Sequence, residues 1–392
     1  MFRRSLISIV RQGATATNAN STGSSIRNLY SPSVLGLDGY ENYREKIQTQ
    51  HMHNVDNFKR KMREFVAGST TNMVFTEDLK NIIHLADNTD EDKKLLVDMI
   101  DKYNSQAQEL RFGNYIFGPV IMRALYSMKD PALAFKLFKD EKYIGFFDQL
   151  TTYQILGDLL YKNGLYAEVR ELFDLIKIRQ VQGGRYPKHS ITLTFAACYQ
   201  ENTKESFRYA MDLWKELNAV GHIPMRKATA LAAGLALKQN QADIALEIVG
   251  SKGNYVTIRQ LKILALTSLE RLDDLIPVFR SVLEVGGPLE KRQTFCREVI
   301  QKVQDAITST KSEVPQDLKR MLEYLEANGH ISDTTLDELL CQEIVSIGQK
   351  KDSTSNLAES YRTRGGSNQF KQFTPTRQQK SRFARPGLTD MN

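Results

Sequence analysis

Cysteine is scarce in this 392-residue sequence. Cys198, Cys296 and Cys341 are its three thiols, and no two are close in sequence. That spacing excludes a disulfide framework and a C-x-x-C metal site, and it fits a reducing compartment. Proline is also scarce, with ten residues, which suits helices. No run approaches the roughly 18 consecutive apolar residues of a membrane-crossing helix, so no membrane span is expected. There is no phosphate-binding glycine loop, no dinucleotide-binding glycine fingerprint, no H-E-x-x-H and no nucleophile elbow. His51-Met52-His53 has no further ligand nearby and reads as part of an exposed polar helix. No catalytic residue, metal ligand or cofactor site can be named, so the chain is read as a non-enzyme with no cofactor.

Acid is missing from the start of the chain. Arg3, Arg4, Arg11 and Arg27 lie in a stretch rich in Ser, Thr, Ala and Asn, and the first carboxylate is Asp38. With Phe2, Leu6, Ile9 and Val10 on one helical face, residues 1–30 read as a mitochondrial transit segment, with removal expected near Arg27 to Ser31. Residues 349–392 carry nine Lys/Arg and three Asp/Glu. Subtracting both ends from the total of +7 leaves residues 38–348 at a net charge of −3. Nucleic-acid binding would therefore need a local basic stripe or the tail.

What is abundant is helical periodicity with a repeat. Ala134, Leu137 and Phe138 recur as Val169, Leu172 and Phe173, and Tyr126 recurs as Tyr161, each 35 residues on. A fixed period in this range marks a solenoid of helix pairs. In the second copy, Tyr153, Leu156, Leu159 and Leu160 form one apolar stripe. Lys162-Asn163-Gly164 stops that helix, and Val169, Leu172, Phe173 and Ile176 form the next stripe. In the first copy Gly118-Pro119 opens helix A. Asp130-Pro131 opens helix B, with Asp as N-cap and Pro at the first helical position. One pair cannot bury both stripes alone, so neighbours must stack. The expected result is an all-α superhelix whose concave face is lined by A helices.

Thr152-Tyr153 opening helix A, the Tyr161-Lys-Asn-Gly164 turn and Leu172-Phe173 in helix B resemble a pentatricopeptide repeat. Gly221-His-Ile-Pro224 resembles the repeat-ending Gly-x-x-Pro of that family. Further residues make the chain similar to a vertebrate mitochondrial member, over roughly residues 29–345: Tyr115-x-Phe117-Gly118-Pro119, Gly145-Phe146-Phe147, Phe195-Ala196-x-Cys198-Tyr199 and Glu205-Ser206-Phe207. The Trp-x-x-Leu-Gly-x-x-Tyr signature of tetratricopeptide repeats is absent. The resemblance implies a right-handed superhelical solenoid of antiparallel helix pairs with disordered N- and C-terminal tails. Along the chain this gives a helical cap with one degenerate pair over 40–112, repeats over 113–285, capping helices over 289–347 and a disordered basic tail over 349–392. Three local expectations follow. The step of 41 residues from Phe173 to Trp214 places an insertion in the turn around Gln200 to Lys204. Pro277, about four residues into its helix, should bend it. Gly286-Gly-Pro288 should end the array.

The resemblance also implies function: binding of single-stranded mitochondrial RNA in the matrix, in maturation, processing or stability of transcripts. Mitochondrial RNA-processing or ribosomal proteins would be further partners. In the family a base is read chiefly by the residue after the helix-opening Tyr and by the last residue of the repeat. The first of these falls on Pro119, Gln154, Thr192 and Ala230, of which Gln154 and Thr192 can hydrogen-bond a base. Arg123, Lys188, Arg226, Lys227, Arg259 and Lys262 are the candidate phosphate contacts. In the tail, Tyr361, Phe370, Phe373 and Phe383 interleave with cations, a mixture able to stack on bases. The alternative is a protein-binding scaffold in the mitochondrial ribosome or in respiratory-complex assembly. The acidic body and the poor base-reading positions favour it.

Overall fold

A computed structural model describes residues 29–68, 73–106, 115–181, 184–250, 255–283, 295–309 and 316–344. The transit segment up to residue 28, the Gly286–Pro288 stop and the basic tail lie outside the described residues.

The chain is an all-α helical repeat protein. Its first helices are α1 (Pro32–Leu35), α2 (Leu37–His51) and α3 (Val55–Ala67), so the polar helix expected to run through His51-Met52-His53 is broken at Met52–Asn54. A degenerate pair follows, α4 (Thr76–Leu85) and α5 (Asp90–Ser105). Five A/B pairs come next: α6 (Gly118–Ser127) with α7 (Pro131–Lys139), α8 (Leu150–Lys162) with α9 (Tyr166–Arg179), and α10 (Lys188–Glu201) with α11 (Lys204–Ala219). The last two are α12 (Arg226–Lys238) with α13 (Ala242–Gly250), and α14 (Val256–Ser268) with α15 (Leu275–Leu283). Then come α16 (Arg297–Ser309), α17 (Gln316–Ala327) and α18 (Leu336–Cys341). Two-residue strands β1 (Phe295–Cys296) and β2 (Ile331–Ser332) pair in parallel, Phe295 opposite Ile331.

The A helices form a continuous row. α4 packs on α6, α6 on α8, α8 on α10, α10 on α12, α12 on α14 and α14 on α16. The stripes expected from the sequence are the core: Tyr153, Leu156, Leu160, Val169, Leu172, Phe173 and Ile176 are all buried. Asp130 is the N-cap of α7 and accepts from the Leu133 amide, with Pro131 behind it.

The turn between A and B is the same device each time. One residue takes the left-handed conformation: Lys129, Gly164, Asn202, Asn240 and Glu270, with φ between +49° and +73°. In four of the five, the next amide reaches back five residues to a carbonyl: Asp130 to Leu125, Leu165 to Leu160, Gln241 to Ala236 and Arg271 to Leu266. This closure satisfies carbonyls that a helix end leaves orphaned. It recurs although glycine fills the position only once.

Two local expectations are corrected. The B helix starts 16 residues after the A helix in both the second and the third repeat, so no insertion lies between Gln200 and Lys204. Three of the extra residues precede α10. The other three arise because Trp214 sits further along α11 than Phe173 does along α9. Pro277 is the third residue of α15, because Leu272–Asp274 form a turn before it. In a first turn the missing N–H costs no helical hydrogen bond, so Pro277 is accommodated without breaking the ladder.

Candidate nucleic-acid interface

Each A helix opens at one edge of the row. Lys188 is the first residue of α10 and Arg226 the first of α12, and both are exposed. The Thr192 hydroxyl lies 3.7 Å from Met225 Sδ, which sets the first turns of these two helices side by side. Among the described residues neither cation is in an ion pair. The Arg226 guanidinium lies over the ring of Tyr255, 4.2 Å from its centroid, and Tyr255 is itself 51% exposed. Tyr186 and His222 pair nearby with centroids 5.9 Å apart. Burial, and then the charge of Lys188, hold the His189 and His222 imidazoles below the usual histidine range, so both rings stay neutral near pH 7. The edge thus combines two unpaired cations, the positive ends of two helix dipoles and aromatic rings. Such a surface attracts phosphate and stacks on bases.

The remaining candidates are placed differently. Thr192 is fully buried and its hydroxyl donates to the Lys188 carbonyl, leaving it nothing to offer a base. Ala230 is buried too, and Pro119 is half-buried. Gln154 is half-buried on α8, and its side-chain amide nitrogen is sealed from solvent without a hydrogen-bond partner. Arg259 is 2% exposed and lies over the Phe295 ring, 5.3 Å from its centroid. Burial lowers its pKa, so it is a core residue beneath β1 and not a surface charge. Lys262 is half-buried and lines a cleft of about 530 Å³ with Arg271 and Pro277.

Arg123 and Lys227 are engaged with the chain itself. Arg123 Nε donates to the Leu35 carbonyl at 2.8 Å. Lys227 Nζ donates to the carbonyls of Gln342 at 2.6 Å and Leu339 at 3.4 Å, and burial lowers its pKa to about 8. The structure therefore brings Lys188 and Arg226 together at the edge. Arg123 and Lys227 are held by carbonyls of Leu35, Leu339 and Gln342, and Arg259 and Thr192 lie inside. Tyr186, His222 and Tyr255 were missed by the sequence reading. The signal that could have found them is an aromatic ring within two residues before an A helix, as at Tyr186 and Tyr255.

Acid also lies on the A row. Asp158 on α8 is fully buried, with Lys162 at 3.1 Å and the Tyr126 hydroxyl at 2.7 Å on the same carboxylate oxygen. Burial raises its pKa, against the pull of Lys162 and Tyr126. Among the described residues no helix is long and apolar enough to cross a membrane, and no group of three or more His, Cys, Asp or Glu side chains is placed to hold a metal ion.

No family model and no solved structure matches the chain. Three curated proteins similar to it each bear the name pentatricopeptide repeat-containing protein 2, mitochondrial. That of Mus musculus is 31% identical over 288 residues, covering 73% of both chains. That of Xenopus laevis is 29% identical over 272 residues, covering 69% of this chain and 70% of the relative. That of Homo sapiens is 28% identical over 272 residues, covering 69% of both.

Proposed function

The chain belongs to the pentatricopeptide repeat-containing protein 2 family, and from that premise we propose that it is a non-catalytic RNA-binding protein of the mitochondrial matrix. Its role in this reading is passive: it holds single-stranded mitochondrial RNA during maturation, processing or stabilisation of transcripts, and a separate protein supplies any cleavage. The observation that carries the reading is the edge where Lys188 and Arg226 stand exposed at adjacent helix openings, with Tyr255 beneath Arg226. Contacts of this kind bind backbone and base faces, so the recognition is tolerant of sequence. The relatives' names and the arginine-rich, acid-free start of the chain support the compartment.

One observation favours the scaffold reading. Thr192 and Ala230 are buried, so two of the four base-reading positions face packing and not a ligand. Ultraviolet cross-linking in intact mitochondria, followed by sequencing of attached RNA, separates the two. The RNA reading expects peaks on defined transcripts that weaken in a Lys188→Glu, Arg226→Glu variant. In vitro, the same variant should flatten the salt dependence of binding by about 0.7 in log–log slope for each phosphate left without its cation. An intact, abundant protein with no cross-linked RNA, co-sedimenting with ribosomal subunits, would overturn the RNA reading and establish the scaffold.

A further inference from the structure

Both ends of the described chain lie on the A-helix row. At the N-terminal end α1 packs on α8, the Leu35 carbonyl accepts from Arg123 on α6, and Tyr30 bonds His189 on α10 at 3.0 Å. At the C-terminal end α18 packs on α12 and α14. Tyr199 on α10 and Lys238 on α12 both reach Asp337, Gln200 donates to Cys341 Sγ, and Lys227 holds two carbonyls. The two ends meet where the Ile344 amide donates to the Leu29 carbonyl at 2.9 Å. Leu29, Tyr30, Leu340 and Cys341 are all buried.

The seat is shaped for its occupant. Gly234 lies inside α12, where glycine weakens a helix relative to alanine. A Cβ there would stand 2.9 Å from Leu340 Cδ1 and 3.0 Å from Tyr199 Cε2. The missing side chain makes the socket for Leu340. The polar contacts have a recurring form: a cation of the A row points at carbonyl oxygens of the covering segment, at Arg123 and again at Lys227. Phosphate oxygens are acceptors for the same groups.

We infer that residues 336–344, joined to residues 29–35, form an intramolecular strap over the A-helix row, and that single-stranded RNA displaces it to reach Lys227 and the row beneath. The inference rests on the RNA reading above. Several features make the strap releasable. α18 is only six residues long, and its anchor Asp337 is 61% exposed on its side chain. Lys227 is held partly desolvated while the strap is seated. Residues 349–392, which follow in sequence, carry a net charge of +6, so a polyanion is drawn to the strap's own end.

Cys341 reports the state of the strap. It is 3% exposed when the strap is seated. Cys198 and Cys296 are internal controls, because burial raises their thiol pKa to about 12 and about 11 and keeps them unreactive in the folded chain. The experiment alkylates the full chain with iodoacetamide, with and without a poly-uridine oligonucleotide, and maps each cysteine by mass spectrometry. RNA should accelerate labelling of Cys341 and leave Cys198 and Cys296 unchanged. Leu340→Asp should label at Cys341 without RNA and bind the oligonucleotide about tenfold more tightly by fluorescence anisotropy, because the fraction held in the seated state is restored to binding. Gly234→Leu, which fills the socket from the other side, should do the same if Leu340→Asp fails to fold. RNA binding of equal affinity to wild type and variants, with Cys341 labelling unmoved by RNA, would overturn the strap and leave the RNA reading standing. Variants that label freely at Cys341 yet bind no RNA, like wild type, would overturn the RNA reading and displacement by RNA with it.

Discussion

Lys162→Met should be among the most damaging single changes on the A row, and the structure says by how much. Asp158 is fully buried, and its Oδ2 receives both the Tyr126 hydroxyl and Lys162, while its Oδ1 has no hydrogen-bond partner. Lys162 also donates to the Tyr126 hydroxyl. Removing the cation leaves a carboxylate in the core with one neutral donor. Severing one partner of a buried pair costs about 3–5 kcal/mol. Because the Lys162 side chain is 20% exposed, the lower end applies. About 3 kcal/mol corresponds to a fall in Tm of roughly 5–10 °C for a chain of this size. The assay is thermal unfolding followed by circular dichroism, at pH 7.5 and again near pH 4.

The sign of the pH effect follows from the direction of the shift. Asp158 already has its pKa raised by burial, and loss of Lys162 raises it further. A carboxyl whose folded pKa exceeds its unfolded value favours folding below the unfolded pKa and loses that advantage as pH rises through the folded pKa. The deficit of Lys162→Met against wild type should therefore be largest at pH 7.5 and shrink as pH falls toward 4 and the carboxyl takes up its proton. The double change Asp158→Leu, Lys162→Met removes the stranded charge and should recover most of the loss. A double variant as unstable as Lys162→Met, or a deficit that does not change with pH, would refute the account.

Three further outcomes are expected. Leu29 and Tyr30 are fully buried and bonded to Ile344 and His189, so N-terminal sequencing of the mature protein should find processing before Leu29; a mature chain starting at Ser31 or later would contradict the strap's N-terminal half. Phe173→Ala, at 1% exposure, should lose about 3–5 kcal/mol in urea titration, whereas Ile178→Ala, at 76% exposure, should lose under about 0.5 kcal/mol. Glu270→Gly, at φ +57°, should gain about 0.5–1 kcal/mol, because left-handed geometry costs a residue with a Cβ about 1–2 kcal/mol and glycine returns part of that as lost chain entropy.

The repeat was legible because its information is local. Ala134, Leu137 and Phe138 lie within one turn or two of each other, and their copy 35 residues on has the same spacing. Asp130-Pro131 was legible for the same reason, since a cap and its amide are three residues apart. The strap was not. α18 is too short to show a stripe, and its partners lie far off in sequence: Lys227 is 115 residues from Gln342, Tyr199 is 138 from Asp337, and Tyr30 is 159 from His189. Arg259 misled for a related reason. In sequence it is a cation near the start of an A helix, like Arg226. In space α14 is packed by α12, α13 and α16, and Arg259 is left only 2% exposed.

This difference between neighbouring A helices bears on how the protein could recognise RNA. A base-by-base reader needs a polar side chain at the same exposed position of successive A helices. Here that position is Pro119, half-buried; Gln154, whose amide nitrogen is sealed from solvent; Thr192, bonded to its own helix; and Ala230, buried. The row uses these positions for helix–helix packing. The cations divide in the same way, since Arg123 and Lys227 hold the strap while Lys188 and Arg226 remain open. On the RNA reading, affinity from the open pair would come from phosphate charge and ring stacking, which depend on salt and hardly on sequence. Choice among transcripts must then come from elsewhere: from the row uncovered when the strap leaves, or from a protein partner that brings the transcript.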